Sequence, residues 1–73
     1  MRNFLLHIQQ TGQAEPLVIV IEGKDVWDVH NLFLDLLNNE GNVIVFDKGT
    51  VIHSLIKTHI QAWHVHHQTE GVH

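Results

Sequence analysis

Leu17 to Ile21 reads Leu-Val-Ile-Val-Ile, and Val43 to Phe46 reads Val-Ile-Val-Phe, two unbroken and mostly β-branched apolar runs. Runs of this length and type form strands, and the lack of polar alternation is the pattern of a strand covered on both faces. Helical spacing appears over one stretch, where Val26, Val29, Phe33, Leu36 and Leu37 recur on one side. One helix covers one face of a sheet. A fold built from these pieces therefore has apolar strand surface that its own helix does not reach.

The remaining elements follow from the turn chemistry. Asn3 to Gln10 is a first strand, joined through Gly12 and Pro16 to the strand Leu17 to Ile21 as a β-hairpin. Asp25 is the candidate N-cap of the helix, with Asp28 three residues on, and Asn38, Asn39 and Gly41 form the stop, which gives a helix over about 25–39 widened by Trp27 and Leu34. Strands are expected over 42–46, 50–56 and 60–66, with a polar turn at Lys57 to His59 and a polar tail over 68–73. The expected fold is a single α+β domain over residues 1–67, in the order ββαβββ: a hairpin, one amphipathic helix and three antiparallel strands. These build a small sheet or a partly open barrel packed on the helix.

Asp47-Lys48-Gly49, read as a three-residue hairpin loop, sets Phe46 opposite Thr50 and Ile44 opposite Ile52. Ile44, Phe46, Ile52 and Ile56 then share one side, and Val43, Val45, Val51, His53 and Leu55 share the other. Both sides need cover. Either the sheet curls over its own second face or another copy of the chain packs on it, and composition favours the copy. Charged residues make up 16% of the chain against an average of about 25%. A domain of 73 residues is also small enough to be only marginally stable alone, and with no cysteine it has no disulfide to compensate. Val43, Val45, Val51, His53 and Leu55 are therefore the expected homo-oligomer interface.

Four Lys and Arg against eight Asp and Glu give a net charge of −4, which disfavours a polyanionic partner, and Lys24 near Trp27 is the only basic residue beside a tryptophan, too little for a base-stacking platform. No apolar run approaches the roughly 20 residues of a membrane helix, so no membrane partner is expected and a cytoplasmic location is. Catalytic motifs are missing too. Ser54 and His53 are strand neighbours facing opposite ways, and neither a nucleophile elbow nor a phosphate-binding glycine loop occurs, so the chain is read as non-enzymatic and without a cofactor.

The eight histidines stand out, because protonating all of them moves the formal charge from −4 to +4. His64 and His66 are two apart on a strand and project together. A hairpin across Lys57 to His59 that pairs His53 with His64 brings three imidazoles together, the ligand count of a catalytic zinc site, whereas a slip of one residue turns His53 away. Surface or interface histidines are the leading reading and no metal is expected; His53, His64 and His66 are the candidate ligand or metal residues in the alternative. Several histidines at an interface make assembly sensitive to pH between about 5 and 7.

The run Val43-Ile44-Val45-Phe46-Asp47-Lys48-Gly49-Thr50-Val51-Ile52, followed by Thr58-His59-Ile60-Gln61-Ala62-Trp63 and set behind a hairpin and a helix, resembles the small accessory proteins of tailed-phage and prophage genomes. The resemblance is one of size and strand rhythm over most of the chain and carries over no functional residue. It implies a protein that acts by assembling and by binding another protein or a small molecule, in a bacterial host cytoplasm. The expected function is thus a homo-oligomeric protein-interaction or assembly-helper role, with a small-ligand or metal-binding module using inter-subunit histidine pockets as the alternative.

Overall fold

A computed structural model describes residues 2–68. The order is β1 (Arg2–Gln10), β2 (Leu17–Gly23), α1 (Val26–Asn38), β3 (Val43–Asp47), β4 (Ile52–Ile56), a 3₁₀ turn (Lys57–His59) and β5 (Ile60–His67). The expected ββαβββ α+β fold is the observed one, in two antiparallel sheets and without a closed barrel. The tail expected over 68–73 lies, from residue 69 on, outside the described residues.

β1 is the central strand of a three-stranded sheet ordered β2-β1-β5. It alternates cleanly: Phe4, Leu6 and Ile8 are fully buried, and the residues between them face away. The register sets Phe4 against Ile21 and His67, Leu6 against Ile19 and Val65, and Ile8 against Leu17 and Trp63, which builds one continuous apolar face. Val29 and Phe33 of α1 are buried on that face, with Val26, Leu36 and Leu37 packed at its margin. Trp63 packs on the helix, its ring meeting Phe33 edge to face at 4.7 Å. Gly23 makes the close approach of α1 possible, since a Cβ there would lie 2.9 Å from Val29 Cγ2.

The helix begins where Asp25 ends the extended backbone, and the Asp25 carboxylate accepts the Asp28 N–H at 2.9 Å. Asp28 in turn accepts the Lys24 N–H at 3.0 Å, a reciprocal arrangement displaced by one residue from the usual capping box. Asp25→Ala is expected to cost about 1 kcal/mol of stability, read as a lower urea midpoint with an unchanged slope.

The β3–β4 hairpin forms its own two-stranded sheet, and its register differs from the expected one. The chain reverses across Gly49, which has φ +83°, with the Thr50 N–H donating to the Lys48 carbonyl at 3.0 Å and the Lys48 N–H to the Val51 carbonyl at 2.9 Å. Asp47 therefore pairs with Ile52, Val45 with Ser54 and Ile44 with Leu55. Relative to the three-residue loop this is a shift of three, an odd number, which exchanges the two faces of β4. Leu55 and His53 join Ile44 and Phe46 on the inner side, while Ile52 and Ile56 join Val43 and Val45 on the outer side. Phe46 completes the core by stacking against Phe33 at 6.1 Å.

Two further expectations are corrected by where the elements sit. β2 is an edge strand covered on one face only, so Val18 and Val20 are exposed. β4 and β5 do not pair. The 3₁₀ turn between them, tied by Lys57 N–H to the Asn42 carbonyl and by Thr11 N–H to the His59 carbonyl, carries β5 across to β1.

Candidate functional site

The alternation that buries Phe4, Leu6 and Ile8 turns Leu5 and His7 to the opposite face of the sheet, and on β5 the inward Trp63 and Val65 leave His64 and His66 outward. The β1–β5 register pairs His7 with His64 and Leu5 with His66. Three imidazoles therefore meet on the outer face. The rings of His7 and His64 stack at 4.6 Å and 11°, those of His7 and His66 at 4.5 Å and 28°, and those of His64 and His66 at 5.6 Å and 18°. One ring nitrogen from each lies within 4.8 Å of the others.

Hydrogen bonding orients one ring. His66 Nδ1 is 3.2 Å from the His67 carbonyl, which can only accept, so Nδ1 carries the proton. His66 Nε2 is then a bare lone pair in the neutral ring and accepts from His7 Nε2–H at 2.7 Å. His7 itself is held below the ordinary histidine range, first by desolvation and then by repulsion from His66 and His64. Because charging His7 is harder in the folded state, its contribution to stability is present above the ordinary histidine range and is lost as the pH falls below it. The other outward side chains described on the three strands are Asn3, Leu5 and Gln9 on β1, Val18, Val20 and Glu22 on β2, and Ala62 on β5, none of them Lys or Arg; Lys48 of the hairpin reaches the β2 edge, where its ammonium donates to the Val20 carbonyl at 2.7 Å.

His64 and His66 are thus brought together as their spacing implies, but the third imidazole is His7. His53 sits on the other sheet, opposite Phe46, half-buried and facing inward. The signal that could have found His7 is the match of two alternations, Phe4-Leu6-Ile8 against Trp63-Val65. Choosing it needs the β1–β5 pairing, which joins strands at opposite ends of the chain.

Val43, Val45 and Val51 of the expected interface are exposed at 56%, 54% and 50%. Leu55 is not, at 1%, because the register turns it into the core beside Ile44. Ile52, at 62%, and Ile56, at 41%, take the outer places that the expected register gave to His53 and Leu55. The outer face of the hairpin is therefore Val43, Val45, Ile52 and Ile56 around Ser54, with Asp47 at one end. A third feature is an open groove of about 320 Å³ between α1 and the edge of β5, lined by Val26, Trp27, His30, Trp63, His64 and Val65. His30 bridges its two indoles, 5.2 Å from Trp27 and 4.9 Å from Trp63.

Among the described residues no helix is long and apolar enough to cross a membrane. No protein-family model, curated protein or solved structure matches the chain.

Proposed function

We propose that this chain is a non-enzymatic protein-interaction or assembly-helper protein that works as a homo-oligomer, its subunits joined through the outer face of the β3–β4 hairpin. The observation that carries the reading is the exposure of Val43, Val45, Ile52 and Ile56 together on one face of the strand pair. Isolated apolar side chains on a surface are ordinary, but four on adjacent strands form a contiguous patch of the kind that marks an interaction site. A second copy is the occupant that composition favours. The patch has no basic or acidic residue at its centre to select a charged partner, and its two strands present the same aliphatic groups that a symmetric contact needs from both sides. In such a two-fold contact Val45, paired with Ser54 at mid-hairpin, lies near the axis. A role in a tailed phage, and with it a bacterial cytoplasmic setting, rests on the resemblance of layout alone.

Sedimentation tests this directly. The parent chain is expected to sediment well above its 8.4 kDa monomer mass at micromolar concentration. Val45→Asp is expected to sediment as a folded monomer, with an unchanged far-ultraviolet spectrum, because the side chain is exposed in the single subunit but unpaired and desolvated in the contact. A parent chain that stays monomeric, or a Val45→Asp chain that keeps the parent's subunit number, would overturn the proposal.

A further inference from the structure

We infer that His7, His64 and His66 form a site for one divalent first-row transition ion of borderline softness, with Zn²⁺ as the reference case, on the outer face of the three-stranded sheet. Geometry comes first. Zinc takes imidazole nitrogen at about 2.0–2.1 Å, so tetrahedral ligand nitrogens stand about 3.3 Å apart. Here the His7 and His66 Nε2 atoms are 2.7 Å apart, and the whole set lies within 4.8 Å. Converging on an ion then opens one edge of the triangle by about 0.6 Å and closes others by at most about 1.5 Å. The three rings lie within 28° of parallel, so converging on an ion also requires them to turn and aim their in-plane lone pairs at one point, and side-chain rotation at the exposed His64 and His66 supplies both the turn and the shift.

The orientation of His66 is the second observation. A metal-bound histidine commonly donates its other ring N–H to a carbonyl or carboxylate, which fixes the tautomer and aims the lone pair. The His66 Nδ1 contact with the His67 carbonyl at 3.2 Å does this and leaves Nε2 facing His7. His7 needs only to carry its proton on Nδ1 in place of Nε2 to present a second lone pair. The surroundings agree, since the outward side chains of the three strands include no Lys or Arg to repel a cation.

The donor set also selects the ion. Three imidazoles without a thiolate or carboxylate suit zinc, copper, nickel or cobalt and are poor ligands for magnesium or calcium. Three protein ligands leave a fourth tetrahedral position, which water fills on an exposed face. The ion ties the edge strand β5 to the central strand β1, so binding adds to the stability of the folded chain by mass action. The site lies on the sheet that does not carry the proposed subunit contact, and it stands independently of that contact.

Calorimetric titration of the metal-stripped, tag-free chain with ZnCl₂ is expected to give one ion per chain, and the thermal midpoint is expected to rise with added zinc. With Co²⁺ as the probe, the visible absorption of a four-coordinate ion is expected. His7→Ala and, separately, His64→Ala should each weaken zinc binding by at least about tenfold, the scale seen for perturbed metal sites. His53→Ala should bind as the parent does. His64 is exposed on an edge strand, so its variant keeps the test valid if His7→Ala folds poorly. Zinc affinity unchanged in both variants, or lost equally in His53→Ala, would overturn the site.

Discussion

Phe33→Ala is expected to lower the stability of the folded chain by about 3–5 kcal/mol, the range for removing a fully buried phenylalanine ring. The position explains the size of the effect. Phe33 has no exposed surface, meets Trp63 of β5 edge to face at 4.7 Å and stacks on Phe46 of β3 at 6.1 Å. A single helical side chain thus joins the three-stranded sheet to the hairpin. Domains hold roughly 0.05–0.15 kcal/mol per residue, which for 73 residues is about 4–11 kcal/mol, so the loss consumes a large share of the total. Urea unfolding followed by tryptophan fluorescence measures it, and Trp63, freed from its edge contact, should report the change in packing. Phe33→Leu keeps most of the volume and should lose less than about 1.5 kcal/mol. A Phe33→Ala variant within about 0.5 kcal/mol of the parent would mean that the two sheets are not joined through this ring.

Leu55→Asp and Ile52→Asp form the second expected contrast. Leu55 is 1% exposed and paired with Ile44, so an aspartate there is an uncompensated buried charge, with an expected loss of about 3–5 kcal/mol. Ile52 is 62% exposed, and the same substitution should leave the stability of the single subunit within about 0.5 kcal/mol. Circular dichroism and urea titration under conditions that keep the chain monomeric read both. The reverse result, a tolerated Leu55→Asp and an unfolded Ile52→Asp, would restore the register in which Ile52 shares a face with Ile44 and Phe46. The pair therefore tests the hairpin register and, through it, the identity of the outer face.

The misread register has a definite physical origin. Gly49 is legible in the sequence as the residue that supplies positive φ, and it does so at +83°. What the local sequence leaves open is which neighbours close around it, because a glycine of this kind fits both a three-residue loop and the tighter reversal observed. The two choices differ by an odd number of residues, so the error appears as an exchange of faces and not as a small displacement. Val43 and Val45 keep their exposed side under either register, since β3 precedes the turn and its inner residues are set by Phe46 against Phe33. Leu55 and His53 change sides.

The histidines divide in the same way. That His64 and His66 project together follows from strand geometry alone, because neighbours two apart share a face. That His7 completes the set depends on β5 leaving the hairpin and pairing with β1, a contact across more than fifty residues of sequence.

The sequence by itself determined the order and type of the elements, the Asp25 cap, the helix face of Val29 and Phe33, and the presence of more apolar strand surface than one helix covers. Each of these is carried by periods and turn residues within a few positions of one another. The tertiary structure alone decided that β5 pairs with β1 and not with β4, and in which register β4 meets β3; this divided the strands into two sheets, left Val18 and Val20 on an open edge strand, buried Leu55 and set His7 beside His64 and His66. Strand pairing is a contest among distant segments with similar apolar patterns, which no local period or turn residue decides.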